Sequence, residues 1–110
     1  MQNWKQTRKD INAGLMQLNG LSPDTMKGIM SLGGAGAKTN HLDAKTRELL
    51  SLAVAVTTRC DGCIAFHVET AKKVGVTVEE IGEALGVAIN LNAGAALTYS
   101  THVLDAFANG

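Results

Sequence analysis

Apolar residues along this chain recur three and four positions apart almost throughout, and sustained apolar-polar alternation is hard to find. That pattern predicts helices and no sheet. Trp4, Ile11, Leu15 and Leu18 form a first stripe, which Gly20 closes. Ser22 followed by Pro23 is a start signal, because Ser suits the cap and Pro the first turn. The second helix should carry Met26, Ile29 and Met30, then dissolve into a glycine-rich turn from Gly33 to Gly36. Asp43 is placed to cap a third helix through Leu49, Leu50, Leu52, Ala53, Val54 and Val56. A helix that is apolar on nearly every face belongs at the centre of a fold or between subunits. The β-branched pair Thr57 and Thr58 marks its weakening end.

A fourth helix should begin near Asp61 and stop near Gly75. The fifth opens on Thr77-Val78-Glu79-Glu80, a capping box, and its buried stripe is read as Ile81, Leu85, Ala88 and Leu91. After Asn92 and Gly94 a last helix is expected to present Leu97, Val103, Leu104 and Phe107. The expectation is an all-α bundle of about five or six short helices. No internal repeat, linker or low-complexity tail interrupts it.

Length and composition narrow this further. A chain of 110 residues with 45% apolar residues has room for one core, which excludes a multidomain enzyme and makes residues 1–110 a single expected domain. Aromatic residues are only 4%, so helices should approach closely over a thin Ala- and Gly-rich core of the kind that gains stability from neighbouring subunits. The net charge is zero: seven basic and four acidic residues precede position 56, and three basic and six acidic follow. That asymmetry is too mild for a nucleic-acid footprint. The segment MQNWKQTRKDIN lacks the apolar stretch of a secretory signal. The run from Leu49 to Val56 is far short of the ~20 residues of a membrane span. A cytoplasmic location is the expectation, with no membrane partner.

Candidate chemistry concentrates in Arg59-Cys60-Asp61-Gly62-Cys63-Ile64-Ala65-Phe66-His67. In a reducing compartment, a Cys-x-x-Cys pair points to redox chemistry or metal binding. With a helix starting near Asp61, Cys63 falls in the first turn, where free amides and the helix dipole favour a thiolate. His67 lies one turn further along the same face and is placed to exchange protons with that thiol. Peroxide converts a thiolate to a sulfenic acid, which a second thiol such as Cys60 condenses to a disulfide.

Other readings of the same residues compete. A c-type haem site needs His directly after the second Cys, where this chain has Ile64. A thioredoxin-like motif needs a strand before the helix. A zinc site would combine Cys60, Cys63 and His67 with His41, His102 or Glu48, but no second ligand pair stands at a familiar spacing. Two inert buried cysteines beside a surface His remain the bland alternative. The string from Gly33 to Thr39 is similar to a phosphate-binding loop, yet Ala37 occupies the place of the Gly before Lys38. His41 and His102 read as surface or interface residues.

Glu48, Cys60, Cys63 and His67, in the arrangement Glu-x11-Cys-x-x-Cys-x3-His, resemble the signature of the alkylhydroperoxidase D core within the carboxymuconolactone decarboxylase-like family. The flanks agree: Leu42 to Leu49 upstream, and Ala71, Gly75, Thr77, Glu79, Glu80 and Ile81 downstream. The resemblance covers residues 42–96. It implies an all-helical fold that associates as a trimer or hexamer, and a thiol peroxidase in which Cys63 attacks a hydroperoxide and Cys60 resolves it. It also implies that His67 and Glu48 relay protons, that no cofactor is bound, and that a lipoyl-bearing or other dithiol protein returns the disulfide to thiols. The decarboxylase branch lacks the cysteine pair. The namesake enzyme carries a His between its cysteines, where this chain has Asp61 and Gly62.

Two questions follow from the sequence. Glu48 stands twelve positions before Cys60, about 18 Å along a straight helix. It reaches His67 only if the fourth helix folds back across the third, or from another subunit; otherwise it pairs with Arg47 or Lys45, or sits at the surface. The second question is whether the cysteine pair turns over at all. A redox-sensing or disulfide-exchange oligomer would carry the same residues, and zinc binding is the third possibility.

Overall fold

Local capping chemistry starts most of the helices in the computed structural model, which describes residues 1–110. Asn3 accepts the Gln6 amide and opens α1, Trp4–Leu21. Pro23 occupies the first turn of α2, Pro23–Thr39. Ser22 does not cap it: its hydroxyl bonds the Thr25 hydroxyl at 2.7 Å instead of a free amide. Asp43 opens α3, Ala44–Thr58, by accepting the Thr46 amide at 2.8 Å. Cys60 stands at the cap of α4, Asp61–Lys73, and Gly75 makes the turn beyond it with φ +83°. Thr77 and Glu80 form both bonds of the capping box of α5, Val78–Tyr99, and α6 covers Thr101–Asn109.

Two of the capping carboxylates are held below their ordinary ionisation range. Asp43 is lowered chiefly by hydrogen bonds from Thr46, with Lys45 and Arg47 adding attraction. Glu80 is lowered by the Thr77 amide and then by Lys45, whose Nζ lies 3.1 Å away and ties α3 to α5.

Two expected breaks are absent. The glycines from Gly33 to Gly36 do not form a turn, and α2 runs through them to Thr39. Glycine weakens a helix by roughly 1 kcal/mol per residue relative to Ala, but here tertiary contacts hold the far end. A Cβ on Gly36 would stand 2.9 Å from the Cδ of Arg47. The Arg47 guanidinium bonds the Leu42 carbonyl and the Asn40 side chain, reaching the Gly36 carbonyl at 3.5 Å. The actual stop is Asn40 in the left-handed region, φ 52°, with its amide returned to the Gly36 carbonyl. Likewise α5 continues through Asn92 and Gly94 to Tyr99. Asn92, read as a breaker, instead bonds the Thr57 hydroxyl of α3 at 2.8 Å and the Ala88 carbonyl at 2.7 Å.

As the apolar pattern implied, α3 is central, packed between α4 and α5, while α1 lies on α4 and α2, and α6 on α5. The buried residues are Leu52, Ala55, Ala65, Ala71 and Ala88. One leucine and four alanines let the helices approach closely. Leu91, expected in this core, is 61% exposed and lines an open groove between α3 and α5.

The chain leaves much apolar surface open. Its accessible area is 8474 Å², against about 5,800 Å² for a compact monomer of this mass. The radius of gyration is 17.8 Å, where about 13 Å is usual for this length. Leu97 of α5 and Val103, Leu104 and Phe107 of α6 are all exposed. No helix is long and apolar enough to cross a membrane.

Candidate active site

A left-handed residue, Arg59 with φ 53°, ends α3 and reverses the chain. The Cys60 amide still bonds back to the Ala55 carbonyl at 3.0 Å, which holds the reversal tight. Helix α4 therefore folds back along α3, and residues far apart in sequence face one another.

Cys60 and Cys63 are joined in a disulfide, with Cα atoms 5.2 Å apart, at the start of α4. The Cys60 sulfur accepts the Cys63 amide at 3.1 Å. The first-turn amide expected to favour a thiolate at Cys63 is thus directed at Cys60. Cys63 is the exposed partner, and Cys60 is half-buried. Gly62 lies under α1, where a Cβ would come within 3.0 Å of Ile11 Cδ1. A side chain at position 62 would press on that helix.

Glu48 and His67 meet within one chain: Oε2 of Glu48 is 2.7 Å from Nδ1 of His67. The Glu48 side chain is 14% exposed, so this bond is shielded from water, whereas the imidazole is 40% exposed. The alternative partners of Glu48 are engaged elsewhere, Arg47 at the end of α2 and Lys45 with Glu80. A carboxylate on Nδ1 orients the ring and selects the tautomer with Nε2 free to accept a proton.

Cys63 and His67 share an open cleft of about 370 Å³ whose other wall is α3, through Leu50, Ser51, Val54, Ala55 and Thr58. These wall residues are not singled out by the motif, although their helical spacing places them on one face of α3. Leu50 and Val54 also line a neighbouring groove toward α5, beside Val87 and Leu91. Of the residues considered for zinc, the cysteines are bonded to each other, and His41 and His102 are exposed. His102 instead stacks on Tyr99 at 4.5 Å.

Comparison with known proteins agrees with this architecture. A sequence profile of the carboxymuconolactone decarboxylase family matches residues 23–106. An uncharacterized protein of Haemophilus influenzae is 46% identical over 105 residues, spanning 96% of this chain and 93% of its own length. A protein of the cox locus of Paracoccus denitrificans is 43% identical over 63 residues, 57% of each chain. The apo crystal structure of a carboxymuconolactone decarboxylase family protein from Legionella pneumophila superposes with a TM-score of 0.76 at 39% identity, over 94% of this chain and 93% of that one.

Proposed function

Since the chain belongs to the carboxymuconolactone decarboxylase family, we propose that it is a member carrying alkylhydroperoxidase D-like chemistry: a dithiol peroxidase. The observation that carries this reading is the exposed residue Cys63 in one cleft with His67, whose ring is held by Glu48 at 2.7 Å.

In the reduced protein, His67 takes the proton of Cys63 through Nε2 and Glu48 stabilises the imidazolium. The thiolate attacks the outer oxygen of a hydroperoxide. The O–O bond breaks, Cys63 becomes a sulfenic acid, and the alkoxide leaves as an alcohol after taking the proton from His67. The Cys60 thiol displaces water from the sulfenic acid and forms the disulfide. A dithiol co-substrate of the lipoyl type then reduces the disulfide by exchange, ending as a disulfide itself. No bound cofactor takes part, and the cycle suits a reducing, cytoplasmic setting.

The exposed apolar faces of α5 and α6 support self-association as part of the same proposal, in a trimer or hexamer. The area in excess of a compact monomer is of the size that stable subunit interfaces cover.

Steady-state assay of the reduced protein with tert-butyl hydroperoxide and dihydrolipoamide tests the reading. Sustained consumption is expected. A single stoichiometric burst that stops at the disulfide would replace the enzyme with a redox sensor built on the same cysteines.

A further inference from the structure

The opposite side of α4 carries a second concave site that the peroxidase reading does not use. Lys72 is nine positions beyond Cys63, about two and a half turns, which puts it on the far side of the helix. There α1 and α4 run side by side and enclose a groove of about 340 Å³, its apolar floor made by Trp4, Ile64 and Val68 and its rim by Lys5, Arg8 and Lys72. The volume lies within the range of small-molecule sites.

The charges are one-sided. Three cations border the groove and no carboxylate lines it. Glu69, which pairs with Arg8 of this rim, is engaged: its Oε2 lies 2.6 Å from Arg8 Nε and its Oε1 3.3 Å from Lys73 Nζ. That pairing anchors Arg8, while Lys5 and Lys72 form no ion pair. A neutral apolar ligand would leave these ammonium groups unused, and a small anion would leave the Trp4 ring and the aliphatic floor wet. The complement of this surface has one negative end and a hydrocarbon body.

We propose that the α1–α4 groove binds an amphiphilic carboxylate, an acyl acid whose chain lies on Trp4, Ile64 and Val68 and whose carboxylate sits among Lys5, Arg8 and Lys72. The site is separate from the cysteines and stands whether or not they turn over peroxide.

Trp4 is the chain's single tryptophan, so its emission reports on the groove directly. Titrating the full-length protein with octanoate, below its micelle concentration, should give a saturable change in that emission. Octanol, which keeps the chain without the charge, and acetate, which keeps the charge without the chain, should each bind at least tenfold more weakly. Replacing both exposed lysines, Lys5→Gln with Lys72→Gln, should weaken octanoate at least threefold at low salt. Absence of a saturable signal, as when a second copy covers the groove, overturns the proposal. So does octanol binding as well as octanoate, or a smaller change in the double variant.

Discussion

Glu48 and His67 are nineteen residues apart and hydrogen-bonded at 2.7 Å, with the carboxylate shielded and the imidazole in the same cleft as Cys63. The geometry depends on a single reversal at Arg59, which turns α4 back over α3. A group that moves a proton in the transition state typically contributes on the order of 10²–10⁴ in rate. His67→Ala should therefore lower kcat/KM for a hydroperoxide by about 10²-fold or more. Glu48→Gln, which keeps the shape and loses the charge, should cost less, about tenfold to a hundredfold. Stopped-flow peroxide consumption with circular dichroism on each variant checks this. An unchanged rate in both removes the relay.

The two sulfurs should fail differently. Cys63→Ser should abolish peroxide consumption, because the one cysteine lining the cleft is gone. Cys60→Ser should still react once and stop at a sulfenic acid on Cys63. Mass spectrometry after dimedone treatment should find one adduct, at Cys63, in the Cys60→Ser protein. An adduct at Cys60 in the converse variant would exchange their roles, which the amide bonded to the Cys60 sulfur makes a pointed test.

Assembly should rest on the apolar end of the molecule. Phe107 is 93% exposed and Leu104 72% exposed on α6. The double variant Leu104→Glu with Phe107→Glu should shift light-scattering mass toward smaller species. For the parent protein, Tm should rise with concentration, as mass action requires of an associating chain. A parent that is monomeric at all concentrations overturns this expectation.

Acid should loosen the caps. Asp43 and Glu80 are held below their ordinary values of 3.8 and 4.5 in the fold, so their charged forms favour folding. That contribution is fully present above the ordinary values and is lost as pH falls through the lower folded ones. Tm should therefore fall below about pH 5, and the fall should be shallower in Asp43→Asn and Glu80→Gln, which have nothing left to protonate at those caps. Thermal melts from pH 7 to pH 3 check the sign. A steeper decline in either variant contradicts it.

Short-range chemistry was read most directly. The caps at Asp43 and at Thr77 with Glu80 form as their side chains imply, and the Cys-x-x-Cys pair lies at the start of α4. Where local signals competed with distant partners, the partners prevailed. Gly33 to Gly36 and Asn92 look like breaks because each weakens an isolated helix. Arg47 from α3 holds the end of α2, and Asn92 finds Thr57 across the α3–α5 contact. Ser22 turned to Thr25, so even a sound start signal did not become a cap.

Residue types and spacing were enough to specify helices, a central α3 and a cysteine pair with a histidine one turn on, because these properties arise within a few residues of one another. The fate of Glu48 could not be read that way. Lys45, Arg47 and His67 were all eligible partners until the turn at Arg59 aligned α4 with α3 and brought the imidazole to the carboxylate. The third dimension also gave the cleft its α3 wall, directed the Cys63 amide to the Cys60 sulfur, and left the apolar side chains Val103, Leu104 and Phe107 of α6 exposed. Helix periodicity is a local property of the chain, whereas a site is a distance between elements, and only packing sets that distance.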